Sequence, residues 1–291
     1  MLKVTGLSYA QGDIQLNNIN LEVTSGDFYI ICGPDDAGKT EILNAIMGIN
    51  IPATGQITYK EDNVKRLSLA KRRTIRFVPD EILMEKNVTG AKYLGDILKR
   101  YGAKDDIGVE QLLQYFGVNA DELLMEMTFE DNKMVYILGA LMTAPELLIL
   151  DEPSNFLTEV TMSKLLKLLQ KLNACGMTIL MATESYEQAE EYCSKYMYLK
   201  DGEVVSVSEA PKQVDAYRSI VVRGGNTRLF DGMFGEPISV DGHKRTYVTK
   251  RSLPQIGIII SKGGLKESDV HIGTITMEEM IDMGYLVSTK E

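Results

Sequence analysis

Histidine and cysteine are scarce in this chain. The two histidines, His243 and His271, leave no basis for a His-rich metal site or for a Ser-His-Asp triad in the first two hundred residues. The three cysteines, Cys32, Cys175 and Cys193, are odd in number and form no C-x-x-C pair, which reads as reduced, mostly buried thiols of a cytosolic protein. Positive charge is also short: the net charge is −10, which argues against an extended nucleic-acid surface. Long apolar runs are missing. The most apolar stretch, VYILGALMTAPELLIL, is broken by Pro145 and Glu146 and is too short to span a bilayer. The first residues, MLKVTGLSYAQGD, contain no apolar core of a signal peptide, so any membrane role is expected to be peripheral. No repeat or low-complexity segment stands out. What is left is a chain of 291 residues, 44% apolar and 25% charged, ordinary for a soluble globular protein and long enough for a large domain with an appendage.

Against that background, GPDDAGKT at residues 33–40 carries specific chemistry. Gly33, Gly38, Lys39 and Thr40 fit G-x-x-x-x-G-K-[ST], with Asp36 and Ala37 in the variable middle. Such a loop holds polyanionic phosphate through backbone N–H groups, the lysine and a magnesium placed by the hydroxyl. The flanks suit it: DFYIIC (27–32) reads as a strand, and KTEILNAIMG shows helical spacing closed by Gly48. LLILDEP (147–153) supplies the second half of an ATPase signature, with Asp151 suited to magnesium and Glu152 to polarising a water.

GQITYK and TIRFVP read as strands, and residues 89–126 show apolar spacing of three and four, as in a helical region. NKMVYILGAL reads as a further helix. LLILD and MTILMAT are continuous apolar runs, as in central parallel strands. Between them LTEVTMSKLLKLLQKLNACG reads as an amphipathic helix. The expected fold is a parallel α/β P-loop core over residues 1–208, with a helical subdomain inserted at about 81–143. Residues 209–291 are expected to form a small α+β appendage, with strands at SIVVRG, TYVTK and GIIIS, turns at the glycine pairs and RGGNTR, and a closing helix at TMEEMIDMGYLV.

Motif, order and spacing together resemble the ATP-binding cassette (ABC) family, the nucleotide-binding subunits of ABC transporters, continuously over residues 1 to about 208. The resemblance implies ATP and Mg2+ as ligands, a head-to-tail homodimer or heterodimer of cassettes, and a membrane permease as partner. It also implies that Tyr9 stacks on adenine. VTGAKYLGDILKRYG, LDEPSNFL and TMEEMIDMGYLV resemble the branch serving ABC-2-type exporters, whose permeases are separate chains; the permease would be met around residues 82–100.

Departures from the family pattern are as informative. Asp80 stands where the family has a glutamine that senses the γ-phosphate through magnesium. MTFED (127–131) aligns with LSGGQ, so Thr128 keeps a hydroxyl, while Phe129 and Glu130 replace glycines that let backbone N–H groups approach the partner's ATP. Thr158 replaces an aspartate, and Glu184 replaces a histidine that contacts the γ-phosphate. Glu41 replaces a hydroxyl residue that contacts the α-phosphate. A carboxylate about 6 Å from a phosphate charge costs roughly 3 kcal/mol at an effective dielectric near 20. Outward rotation of Asp35 and Asp36, and a magnesium ion, would offset part of that. The resemblance thus implies an ATP-binding subunit that turns over slowly if at all. The alternative is a regulatory or structural subunit that does not hydrolyse ATP and pairs with an active cassette.

Overall fold

The computed structural model describes the chain except residues 13, 83–85, 103–107, 185–190, 210–217, 225–226, 236, 250, 252, 263–268 and 276–291. The closing segment TMEEMIDMGYLV lies outside the described residues. The chain divides into two compact units, Met1–Glu209 and Ala210–Glu291.

The first unit opens with a β-hairpin, β1 (Leu2–Gln11) and β2 (Ile14–Val23), followed by β3 (Phe28–Cys32) and α1 (Lys39–Met47). Next come β4 (Thr54–Tyr59), β5 (Asp62–Asn63), the short α2 (Leu69–Arg72) and β6 (Ile75–Val78). Helices α3 (Gly90–Tyr101), α4 (Val109–Phe116) and α5 (Phe129–Leu141) form the helical insertion. The unit closes with β7 (Leu147–Asp151), α6 (Glu159–Ala174), β8 (Thr178–Thr183), β9 (Lys195–Lys200) and β10 (Glu203–Glu209).

Two sheets result. β2-β1-β4-β5 is antiparallel, and the central sheet runs β10-β9-β3-β8-β7-β6. Within it β9, β3, β8, β7 and β6 are parallel, with β10 antiparallel at the edge. Every residue of β3, β7 and β8 is buried, which is why these strands read as unbroken apolar runs rather than alternating ones. Leucine, isoleucine and valine of both sheets and α1 share one core, with Leu7, Ile19, Ile31, Ile42, Ile149 and Leu180 wholly enclosed.

The second unit runs β11 (Arg218–Arg223), α7 (Thr227–Phe234), β12 (Ser239–Asp241), β13 (Lys244–Thr249), α8 (Leu253–Lys262), β14 (Val270–Thr274). Its sheet order, β12-β13-β11-β14 with every pairing antiparallel, is the split-βαβ arrangement of a βαββαβ unit. Ile220, Val222, Phe230, Tyr247, Ile256 and Ile259 form its core. Asp231 accepts both bonds from Arg245 Nη1, at 3.0 and 2.9 Å, and one from the Tyr247 hydroxyl at 2.8 Å. Two expectations fail here. GIIIS is not a strand but part of α8: Ile256, Ile259 and Ile260 recur at helical spacing and pack on the sheet. RGGNTR is not wholly turn, because α7 begins at Thr227.

Candidate nucleotide site

In open parallel sheets ligands bind beyond the carboxyl ends of the strands. Here β6, β7, β8 and β3 are consecutive neighbours. Their carboxyl ends therefore bring Asp80, the Asp151–Glu152 pair, Glu184 and the 33–38 loop to one side of the sheet.

The loop is shaped by close packing. A Cβ on Gly33 would lie 2.0 Å from the Leu199 carbonyl oxygen, and one on Gly38 would lie 2.4 Å from Leu16 Cδ2. Gly38 caps α1 in the left-handed region, at φ 99°, and no side chain caps that end. The first-turn N–H groups of Lys39, Thr40 and Glu41 have no i−4 carbonyl within the helix, and such an end attracts phosphate. Asp36 adopts a left-handed φ of 59°. Asp35 and Asp36 are exposed, Ala37 is buried, and Glu41 is half-buried in the first turn.

Lys39 is nearly enclosed, with 6% of its side chain exposed. Its ammonium donates to Gly33 O at 2.7 Å and Pro34 O at 2.9 Å, and stands 3.1 Å from Glu152 Oε1. An ammonium has three donors, so an incoming phosphate competes with two carbonyl acceptors and with the Glu152 ion pair. Thr40 Oγ1 donates to Asp151 Oδ2 at 2.9 Å. The other Asp151 oxygen, Oδ1, is buried and has no hydrogen-bond partner among the described residues. Burial pushes the Asp151 carboxyl up to about 6; the charges of Glu152 and Asp80 add to this, against the Thr40 bond and Lys133. An orphaned oxygen in a crowded carboxylate cluster fits a hard divalent cation such as Mg2+, which takes oxygen ligands and keeps several waters or phosphates. Thr40 and Asp151 are the residues that would hold it, and its charge would stabilise the phosphate oxygens.

Glu152 sits at a left-handed φ of 39° and is buried. Its Oε2 accepts the Glu184 N–H at 3.1 Å. The Glu184 side chain hydrogen-bonds to Asp35, and this contact, burial and the Asp35 charge raise its carboxyl above the usual range. Two carboxyl groups can share a hydrogen bond only when one holds a proton.

Asp80 is held from two sides. Its Oδ1 accepts from Asn155 Nδ2 at 3.0 Å and lies 3.5 Å from Lys133 Nζ. Lys133 also donates to Pro79 O at 3.1 Å and Asp80 O at 2.8 Å. Neither Lys133 nor Asn155 is singled out by sequence reasoning. The available signal was a lysine inside an otherwise apolar helix, NKMVYILGAL, where α5 is buried almost all round.

Residues 128–130 and 158 lie beside one another. Thr128 caps α5, accepting the Asp131 N–H at 3.1 Å. Glu130 Oε1 accepts the Thr158 N–H at 3.1 Å and its hydroxyl at 2.9 Å. Phe129 stacks on Phe156 with ring centroids 5.3 Å apart, and both rings remain exposed.

Tyr9 is the residue expected to stack on adenine. It is only 8% exposed, packs in the main core and hydrogen-bonds through its hydroxyl to Gln11. Irregular pairing of β1 with β2 between Val4 and Leu7 and again between Leu7 and Tyr9 interrupts the alternation that would set its face. Little ring is left open for a base to stack on.

Comparison with known proteins gives a consistent assignment. The family profile described as ABC transporter matches residues 16–155. The energy-coupling factor transporter ATP-binding protein EcfA of Methanococcus maripaludis is 30% identical over 237 residues, 76% of this chain and 82% of that protein. The nickel import ATP-binding protein LarO of Lactiplantibacillus plantarum is 28% identical over 213 residues, 68% of this chain and 88% of that protein. Among solved structures, a dimeric ATP-binding cassette in a post-hydrolysis state with ADP and Pi superposes with a TM-score of 0.62 at 26% identity, covering 72% of this chain and 98% of that one. Among the described residues no helix is long and apolar enough to cross a membrane. The chain belongs to the ABC transporter family, as one of its ATP-binding cassettes.

Proposed function

We propose that the chain binds Mg-ATP at the 33–41 loop as the ATP-binding subunit of a transporter whose permease is a separate chain. The observation that carries this is the pair of short links between loop and strand end: Thr40 to Asp151 at 2.9 Å and Lys39 to Glu152 at 3.1 Å. Lys39 and the first-turn N–H groups of α1 hold the phosphates, Thr40 and Asp151 hold Mg2+ with Asp80 nearby, and Glu152 is the group that would polarise a water. Tyr9 is left out of the nucleotide contacts.

Turnover is slow on this reading. Phe129 and Glu130 obstruct the approach that glycines would give to a partner's nucleotide, Thr158 alters the loop before α6, and Glu184 offers no N–H donor from its side chain. Export through an ABC-2-type permease rests on the resemblance of VTGAKYLGDILKRYG, LDEPSNFL and TMEEMIDMGYLV alone, since LarO, compared above, is named for import. The permease contact is placed around residues 82–100, and the cassette pairs with a second copy or with a different cassette. A regulatory subunit without hydrolysis is the second reading, favoured by the engagement of Glu152 with both Lys39 and the Glu184 N–H.

Calorimetric titration with Mg-ATP, with Lys39→Ala as control, tests binding: saturable heat in the parent that vanishes in the variant is expected. Phosphate release compared with Glu152→Gln separates the two readings. A fast rate in the purified homodimer would overturn the slow-turnover proposal, and a slow rate that Glu152→Gln leaves unchanged would favour the regulatory subunit.

A further inference from the structure

The site carries a charged group that the phosphate-loop chemistry does not use. Lys133 lies on α5 and has 2% of its side chain exposed. Its ammonium is fixed by two main-chain carbonyls, Pro79 O and Asp80 O. Among the described residues its only ion-pair partner is Asp80, at 3.5 Å, whose side chain is a third exposed. Placing an ammonium in a core is costly unless it meets compensating charge. Burial pulls the Lys133 ammonium down from its ordinary range, while Asp80, Asp151 and Glu152 act against that. All three carboxylates therefore share one electrostatic field with this lysine.

Counting charge around the strand ends gives a simple pattern. Glu152 is matched by Lys39 at 3.1 Å, and Asp80 by Lys133 at 3.5 Å. Of the Asp80, Asp151 and Glu152 carboxylates, Asp151 is the one with no ion-pair partner among the described residues, and its Oδ1 is buried without a hydrogen-bond partner. Without Lys133, Asp80 would present a second unmatched carboxylate to an incoming triphosphate. The Asn155 bond at 3.0 Å keeps the Asp80 carboxylate where the lysine meets it.

We propose that Lys133 is a positioning residue that cancels the charge of Asp80, so that the two together act as a neutral pair beside the nucleotide. This rests on Mg-ATP binding at the 33–41 loop. It makes the two members of the pair act with opposite sign on nucleotide affinity. Lys133→Met uncovers a carboxylate and weakens binding; Asp80→Asn leaves a fixed cation and strengthens it. A lysine that only supports the fold would give losses in both, following the loss of thermal stability.

The test is a double-mutant cycle of Lys133→Met, Asp80→Asn and the double variant. Mg-ATP affinity is read by calorimetry and the apo melting temperature by thermal denaturation. The expected result is a loss of at least tenfold in affinity for Lys133→Met and a gain of at least twofold for Asp80→Asn. In the double variant both charges are gone, so affinity returns to within about twofold of the parent. Weakening by both variants, or no effect of Lys133→Met, would overturn the inference while leaving nucleotide binding intact. If Lys133→Met does not fold, Asp80→Asn decides alone: tighter binding supports the pair, and unchanged or weaker binding refutes it. Failure of the parent protein to bind Mg-ATP would refute the nucleotide reading, and this inference with it.

Discussion

Substituting Asp151→Asn in the ligand-free protein should stabilise it at neutral pH, and the gain should shrink as pH falls. The folded protein raises this carboxyl from its ordinary 3.8 to about 6, chiefly by burial. That gap corresponds to about 3 kcal/mol between the ionised and protonated forms. The folded state holds the proton more tightly than the unfolded chain. Stability from this group is therefore complete below 3.8 and lost as pH rises through about 6. At pH 7.5 the parent carries nearly the whole penalty. Asparagine keeps an oxygen to accept the Thr40 hydroxyl and carries no charge, so the variant should exceed the parent by up to about 3 kcal/mol. By pH 5 the parent should have regained roughly half of that penalty relative to the variant. Urea denaturation of both proteins from pH 5 to 7.5, without Mg2+ or nucleotide, measures the difference. Glu184, also raised, titrates with the same sign, but it is present in both proteins and cancels in the comparison. A difference that is flat with pH, or a variant less stable at pH 7.5, would refute the view that Asp151 is held ionised at a cost until a cation arrives.

Two further outcomes follow from the contacts. Glu130→Ala and Thr158→Val should couple by about 0.5–1 kcal/mol in a stability cycle, because one bond pair joins them across an exposed surface; strict additivity would mean the contact contributes nothing in solution. Gly33→Ala should lower unfolding free energy by at least about 2 kcal/mol, since its Cβ would meet the Leu199 carbonyl oxygen at 2.0 Å. A variant with parental stability in chemical denaturation would show that the loop yields where the packing says it cannot.

The parts legible in the sequence are those whose pattern is local. The phosphate loop is one stretch of spacing between a strand and a helix, and β3, β7 and β8 are continuous apolar runs because both faces are covered. The second unit was read less well. GIIIS has strand-like composition, and only the packing of Ile256 and Ile259 on one helical face shows it to be helix. The role of Lys133 is hard to read for another reason. Its partners, Pro79 and Asp80, lie more than fifty residues away in sequence, and only the neighbouring of β6 and β7, with α5 beside them, brings them together. Tyr9 is a residue type suited to stacking that irregular strand pairing leaves mostly enclosed.

The replaced positions look like separate losses when read along the chain. In space most of them meet a partner. Asp80 meets Lys133 and Asn155, Glu130 meets Thr158 and Phe129 meets Phe156, whereas Glu184 meets another carboxylate, Asp35. A carboxylate introduced by drift next to other carboxylates should be left repelled or unpaired, since nothing selects a matching cation or donor for it. The pairing observed instead favours a site kept in one arrangement. Two of these links join the head of α5 to the loop before α6 within a single chain, where the family resemblance implies contacts made across two chains. On the slow-turnover reading proposed above, a cassette that commits those groups to itself holds nucleotide rather than cycling quickly. This is why the slow-turnover reading predicts that restoring Glu184→His alone will not raise the phosphate-release rate: the clasp between residues 129–130 and 156–158 would remain, and a tenfold or greater gain from that single change would show that the clasp is not what limits turnover.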